Sequence, residues 1–362
     1  MFIKKILQVL GFMVIAASCS SDPNLEDPLS NKDLPVIYAD KSIVNINESE
    51  EVTFTVEYLD INVTDGAKII NLITGDTLQG NTVSLNEEMT YEFQAFFKGK
   101  LSSNKVEIRG AKPVLSDKYY RQHVLFDFTG TWCSACPGML QAIKCAVRDY
   151  PDRLLPIEVH SGDKLQNDAS EAHVKQFGIE AYPSLIIDSS SDYFYKGSAT
   201  SSNAIISSSK RSMQDNPTVS GVKMDTHIDD NNQITTEVEV SVDQANEYKL
   251  CVALLVDGFE YDQSGSMAGK SSQNHVLWGY LQSKASGDPL GQLEKNSKIS
   301  KTYTYDFSDL AELPYGITKQ DCHIIAYILN KQDDGAYQIN NATSCSLGAS
   351  VDYRYEYIIE EK

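Results

Sequence analysis

Two cysteines three positions apart, Cys133 and Cys136, lie in the run Trp132-Cys133-Ser134-Ala135-Cys136-Pro137. The run follows an apolar segment, HVLFDF, and opens a stretch with helical spacing. At a helix start, unpaired N–H groups and the macrodipole favour thiolate over thiol, which makes Cys133 a candidate nucleophile. Two intervening residues let Cys136 come within bonding distance, so the pair can close a small reversible disulfide. Pro137 lacks an N–H, but the first turn leaves such donors unpaired anyway. The same spacing also serves as half a zinc site. Here no second Cys-x-x-Cys accompanies it, and Cys322-His323, being adjacent, suits no chelate. The expectation is therefore no metal and no cofactor, with a purely structural disulfide as the standing alternative to redox chemistry.

Other residues fall where a dithiol can use them. Asp127 lies six positions before Cys133, inside the buried-strand pattern VLFDFTGTWC. Phe128 and Trp132 supply apolar walls, and Tyr182-Pro183 precedes the apolar run SLIID. His160 ends the strand-like segment LLPIEVH, whose carboxyl end would point toward the ligand crevice of such a sheet. It belongs either beside the dithiol or on a solvated loop. The elements that must position these groups alternate from residue 113 to 215. HVLFDF is a strand, Pro137 to Tyr150 a helix, LLPIEVH a strand, SEAHVKQFG a helix, SLIID a strand, and a last helix reaches Met213. That order implies an α/β sheet with helices on its faces.

The segment VLFDFTGTWCSAC through VKQFGIEAYPSLIID resembles thioredoxin across about 100 residues. The resemblance implies that Cys133 is the attacking thiolate and Cys136 the resolving thiol. It implies that Asp127 is a buried carboxylate moving protons to and from Cys136. It also implies that Pro183 is a cis-proline whose neighbouring backbone pairs with an extended substrate; Trp132, Tyr182 and His160 are the candidates to meet that substrate. Ser134-Ala135 between the cysteines matches neither the Gly-Pro of reducing thioredoxins nor the Pro-His of strong oxidases. Potentials across this fold run from roughly −270 to −120 mV, so the direction of electron flow is not legible.

The first residues address the chain. Lys4 and Lys5 precede an apolar stretch, Ile6 to Ala17, too short to span a bilayer; Ala16-Ala17-Ser18 forms a small-residue cleavage site before Cys19. The arrangement resembles the lipobox of bacterial lipoproteins, which implies a signal peptide over 1–18 and acylation of Cys19. An ordinary secretory leader with an incidental cysteine is the alternative. Each buried CH₂ contributes about 0.8 kcal/mol, so several acyl chains make a durable anchor. Residues 19–35 are polar and proline-bearing, a tether. The net charge of −19 becomes −21 without Lys4 and Lys5, which excludes nucleic acid as a partner. Export also places the cysteines where disulfides persist.

Flanking the α/β unit are two strand-rich ones. Over 36–111, Val52, Phe54 and Val56 alternate with Thr53 and Thr55, and turn signals recur at Asp65-Gly66, Thr74-Gly75-Asp76 and Lys98-Gly99. This stretch resembles bacterial immunoglobulin-like modules, a β-sandwich and usually a spacer. Residues 217–355 read as an all-β, sandwich-like domain in which Gly258 to Gly291 is a long insertion or loop. Of the remaining cysteines, Cys145 lies too far along its helix to join the pair, while Cys251, Cys322 and Cys345 are open to bridging or to burial as free thiols.

With the lipobox, FTGTWCSACP, IEVHSGD and QNHVLWGYL, residues 113 to 350 resemble the twenty-eight-kilodalton outer-membrane protein family. That resemblance implies an outer-membrane lipoprotein facing the periplasm or the cell surface. His275, within QNHVLWGYL, is taken as structural. Two functions stand. One is thiol–disulfide exchange on other exported proteins, the partners being their thiols or disulfides. The other is surface binding or adhesion with the thioredoxin fold as a scaffold.

Overall fold

A computed structural model describes residues 34–59, 61–112, 114–265, 269–282, 284–308, 313 and 316–358. The expected signal peptide, Cys19 and nearly all of the tether lie outside them. None of the described helices is long and apolar enough to cross a membrane.

Alternation in the first unit becomes a two-sheet sandwich. Glu51–Tyr58 pairs with Val36–Ala39, Ile61–Asn62 and Thr82–Ser84; Thr90–Phe97 pairs with Lys68–Asn71 and Val106–Ala111, the latter also with Ile43–Asn45. The inward residues Val52, Phe54, Val56, Tyr91, Phe93 and Ala95 meet in one core, where the Phe54 and Phe93 rings lie 4.8 Å apart. Thr53 and Glu92 alternate with them and point outward.

The next elements follow the α/β order: β1 (His123–Thr129), α1 (Cys136–Asp149), β2 (Leu154–His160), α2 (Asp168–Phe177), β3 (Ser184–Ile187), β4 (Phe194–Lys196) and α3 (Ser202–Asp215). β1 is parallel to β2 and antiparallel to β3, and β3 is antiparallel to β4. β1 is buried at every position because both its faces are covered. Leu125 faces α1 and α3 with Met139, Ile143 and Ile205, whereas Val124, Phe126 and Phe128 face the other way. α2 begins at a capping box, in which Asn167 accepts from the Ala169 and Ser170 amides and Ser170 bonds back. It ends at Gly178 in the left-handed conformation.

The expected division at residue 216 is crossed by a sheet. β8 (Val276–Tyr280) joins β2 in parallel through the single pair Glu158–Val276. β5 (Asn246–Val256), β9 (Cys322–Lys331) and β10 (Tyr337–Ser346) extend it, giving the order β4-β3-β1-β2-β8-β5-β9-β10, with Asp288–Leu293 also on β5. Seven consecutive residues of β5, Leu250 to Val256, alternate between two cores. Leu250, Val252 and Leu254 face a second sheet built from Ser220–Ile228, Gln233–Val242 and Lys298–Asp306. Cys251, Ala253 and Leu255 share a core with Phe126, Phe128 and Val159. One interior therefore serves the α/β unit and the C-terminal strands together.

Two further features depart from the expected picture. The stretch expected as an insertion or loop holds a hairpin, β6 (Phe259–Gln263) with β7 (Gly269–Gln273), before β8 begins. Its short polar-alternating strands pair with each other rather than with the main sheet, so their pattern is too brief to stand out in the sequence. The strand Val114–Tyr119 pairs with Tyr355–Ile358, tying the start of the α/β unit to the far end of the chain.

Candidate active site

Cys133 and Cys136 are joined by a disulfide, with Cα atoms 5.4 Å apart. Cys136 is the first residue of α1 and Pro137 the second, while Cys133 sits just before the helix and donates its amide to the Gly130 carbonyl. This is the loop-to-helix placement expected from the sequence. Among the described residues Cys145, Cys251, Cys322 and Cys345 form no disulfide, and the first three are buried. Burial pushes the Cys251 and Cys322 thiols up to about 12, so neither is a nucleophile at neutral pH.

Asp127 is buried in β1 beside the register partner Glu158 of β2, on the face that carries α1. Its Oδ1 has no hydrogen-bond partner. Burial, then the neighbouring Glu158 charge, holds the Asp127 carboxyl protonated well above the usual carboxylate range. Asp127, Cys136, Pro137, Glu158, Gln263 and Gln273 line a cavity of about 10 Å³, on the order of one water molecule.

His160 is not on a solvated loop. It is fully buried, with Nε2 3.3 Å from Glu158 Oε2 and Nδ1 2.8 Å from Asp163 Oδ2. Burial opposes its charge, but the two carboxylates outweigh burial and hold its pKa up at about 9. The ring is thus a cation at neutral pH and cannot meet a substrate. It acts through its partners instead: Asp163 also accepts the Thr131 amide at 2.8 Å, just ahead of Trp132-Cys133. Glu158 and Asp163, the groups that anchor this line, were not singled out from the sequence. A lone glutamate within the apolar strand LLPIEVH was the available signal.

The substrate side is built from Trp132, Tyr182 and Pro183. The Tyr182–Pro183 peptide is cis. Trp132 is 49% exposed, donates its indole N–H to the Ser161 carbonyl at 2.7 Å, and stands edge-on to Tyr182 with ring centroids 5.5 Å apart. Gly130 lets the indole lie this close: a Cβ there would fall 2.6 Å from Trp132 Nε1. Cys133 beside it is only 4% exposed.

The hairpin β6–β7 supplies part of that cover. Gln263 Nε2 donates to the Cys133 carbonyl at 3.0 Å and to the Gly130 carbonyl at 3.3 Å, and the Ser264 amide donates to the Thr131 carbonyl at 2.9 Å. Gly265 follows in a left-handed conformation so close to Ser134 that a Cβ would lie 2.1 Å from its carbonyl oxygen. A strand pair some 130 positions away therefore satisfies the backbone of the dithiol loop. Nothing in the local sequence of either segment announces the contact.

Comparison with known proteins agrees with this architecture. Residues 114–211 match the thioredoxin family, and residues 170–346 match the family described as outer membrane protein Omp28. The two matches overlap over 170–211, a stretch that holds most of α2, β3, β4 and most of α3. HBP35 of Porphyromonas gingivalis is structurally similar at a TM-score of 0.54 and 18% identity, covering 68% of this chain and 82% of that one. A domain of the outer membrane lipoprotein Omp28 from Porphyromonas gingivalis overlaps 36% of this chain and 90% of its own at 15% identity, with a TM-score of 0.26. No curated protein matches. The chain is a multidomain, β-rich protein with a thioredoxin domain, and its Omp28 match supports an outer-membrane address.

Proposed function

For a chain that joins a thioredoxin match to an Omp28 match, we propose thiol–disulfide exchange on other exported proteins, with Cys133 and Cys136 as the working pair. The observation that carries this reading is the protonated, unpartnered carboxyl of Asp127 sharing a one-water cavity with Cys136. A structural disulfide has no use for such a group, whose burial costs stability.

In the reducing direction, the Cys133 thiolate attacks one sulfur of a substrate disulfide, and the other substrate sulfur leaves as a thiolate. Asp127, as carboxylate, takes the Cys136 proton. Cys136 then attacks Cys133, closing the intramolecular disulfide and releasing the second substrate sulfur as a thiol once protonated. Two electrons pass from dithiol to substrate, and the oxidising direction is the reverse. An extended segment would lie along Trp132, Tyr182 and Pro183, the side that the hairpin leaves open. No cofactor enters. A Cys136→Ala variant is expected to accumulate mixed disulfides through Cys133 in whole cells. Absence of any trapped partner, with no disulfide exchange by purified wild type, would overturn the reading.

The same proposal places the protein on the outer membrane through acylated Cys19. A second reading, display and binding, has its own support. A cleft of about 410 Å³ between the first sandwich and the last strand is lined by Tyr120, Tyr353, Tyr355, Tyr357 and Arg354, with Lys41 and Glu50 across from them. Tyrosine and arginine are enriched at recognition surfaces. Protease applied to intact cells should clip the protein if this cleft faces outward, and full protection would place it in the periplasm.

A further inference from the structure

Asp257, His275 and His323 are 18 and 48 positions apart, yet strand pairing brings them to one spot. Val256 at the end of β5 pairs with Val276 at the start of β8 and with Cys322 at the start of β9. The residues next to these three partners therefore converge at one end of the sheet. One donor atom from each lies within 4.8 Å of the other two. Specifically, His275 Nδ1 is 3.3 Å from His323 Nε2 and 3.4 Å from Asp257 Oδ1, while His323 Nδ1 is 3.6 Å from Asp257 Oδ2. Ligands on a tetrahedral ion with bonds of about 2.05 Å lie roughly 3.3 Å apart; an ion takes one His323 nitrogen, so from a set already within 4.8 Å that ring must turn to bring a single nitrogen toward both partners. Two imidazoles and one carboxylate also form the donor set of open divalent sites, where water completes the coordination.

The backbone around the cluster is already fixed. Asp257 Oδ1 accepts the His275 amide at 2.6 Å, the Asp257 amide donates to the Asp321 carbonyl, and the His275 carbonyl accepts the Glu158 amide. The side chains of Asp257 and His275 are 33% and 40% exposed, which leaves the outer side of the cluster open to solvent. Asp257 and His275 also bracket the hairpin β6–β7, the element that lies against Cys133.

We propose that Asp257, His275 and His323 bind a divalent first-row transition ion, of the zinc class, and thereby fasten both ends of the dithiol-covering hairpin to β9. The site stands apart from Cys133 and Cys136 and does not depend on their redox role.

The test uses the full chain with the Cys133–Cys136 disulfide intact, so that these sulfurs cannot ligate. After chelation, Co²⁺ is titrated by visible absorption and Zn²⁺ by calorimetry. One equivalent should bind, with cobalt ligand-field bands of a four- or five-coordinate site and no thiolate charge-transfer band. His323→Ala should weaken Zn²⁺ by more than the roughly 10–100-fold cost of losing an outer-shell partner. His275→Asn should do the same while tolerating the left-handed backbone at φ 56°. Three results would overturn the proposal: a featureless cobalt spectrum in wild type, Zn²⁺ binding unchanged in both variants, or a thiolate band assigning the ion to a cysteine such as Cys322. The wild-type spectrum decides the matter even if a variant fails to fold.

Discussion

Two buried acids flank strand β1, Asp188 from the residue after β3 and Asp127 from β1 itself, and they behave in opposite ways. Near its start, Asp188 accepts from Arg121 Nη2 at 2.8 Å, from His123 Nδ1 at 2.7 Å, from the Val124 amide at 3.0 Å and from Ser212 Oγ at 2.6 Å. Despite full burial, the Arg121 charge and these donors hold its carboxyl far below the usual range. Since Asp188 only accepts, His123 carries its proton on Nδ1 and is itself kept neutral by burial. At the other end Asp127 is equally buried but has a carboxylate, Glu158, as its nearest charge and an oxygen with no partner. Burial alone therefore does not decide ionisation; the partners do. The satisfied acid fastens the fold, and the unsatisfied one is poised to exchange a proton.

The comparison can be broken most severely at its satisfied end. Asp188→Ala strands the fully buried Arg121 and is expected to destabilise by about 3–5 kcal/mol in chemical denaturation. A loss under about 1 kcal/mol would mean that Asp188 does not hold the cluster together. Next in size is the pH dependence of His160. Its charged form is favoured on folding, so its contribution is complete below the unfolded pKa of about 6.5 and is lost as pH rises through about 9. The shift corresponds to roughly 3 kcal/mol, and His160→Gln should flatten this window in denaturation profiles.

Asp127→Asn should act with the opposite sign to Asp188→Ala. The folded state keeps a proton that the unfolded chain releases above about pH 4, so Asp127 lowers stability as pH rises. Its replacement should stabilise by about 1–3 kcal/mol at pH 7 and slow reclosure of the mixed disulfide about tenfold or more. Equal exchange rates in Asp127→Asn and wild type would remove it from the chemistry. The smallest effect belongs to Gln263→Ala. Losing its bonds to the Cys133 and Gly130 carbonyls costs about 1 kcal/mol, and reduction of the disulfide by a small thiol should quicken a few-fold.

What the sequence reveals here is what local pattern can carry. Asp127, Cys133 and Cys136 fall within one strand–helix unit and Pro183 within one loop–strand unit, so short segments carry their placement in the chain. The alternation of Val52, Phe54 and Val56 likewise reports directly on a half-buried sheet. The hairpin over the dithiol, the shared sheet and the Asp257–His275–His323 cluster all depend on pairings between distant strands. The joint between β2 and β8 rests on the single pair Glu158–Val276, too short to leave a periodic trace. His160 shows the limit in one residue: its strand position was legible, but its burial depends on Glu158 and on Asp163 in the following loop.

The strand Val114–Tyr119 has consequences for the order in which the chain can be finished. Its partner, Tyr355–Ile358, emerges some 240 residues later. Arg153 reaches the same terminal strand through a bidentate pair with Glu356, at 2.7 and 2.6 Å. At synthesis rates of about 5–20 residues per second, that partner arrives roughly 12–50 s after the first strand is made. During that interval the thioredoxin segment lacks both this clasp and the strands that share its interior. The clasp therefore closes only after Tyr355–Ile358 has been made, so the α/β unit cannot finish folding ahead of the strands that complete it.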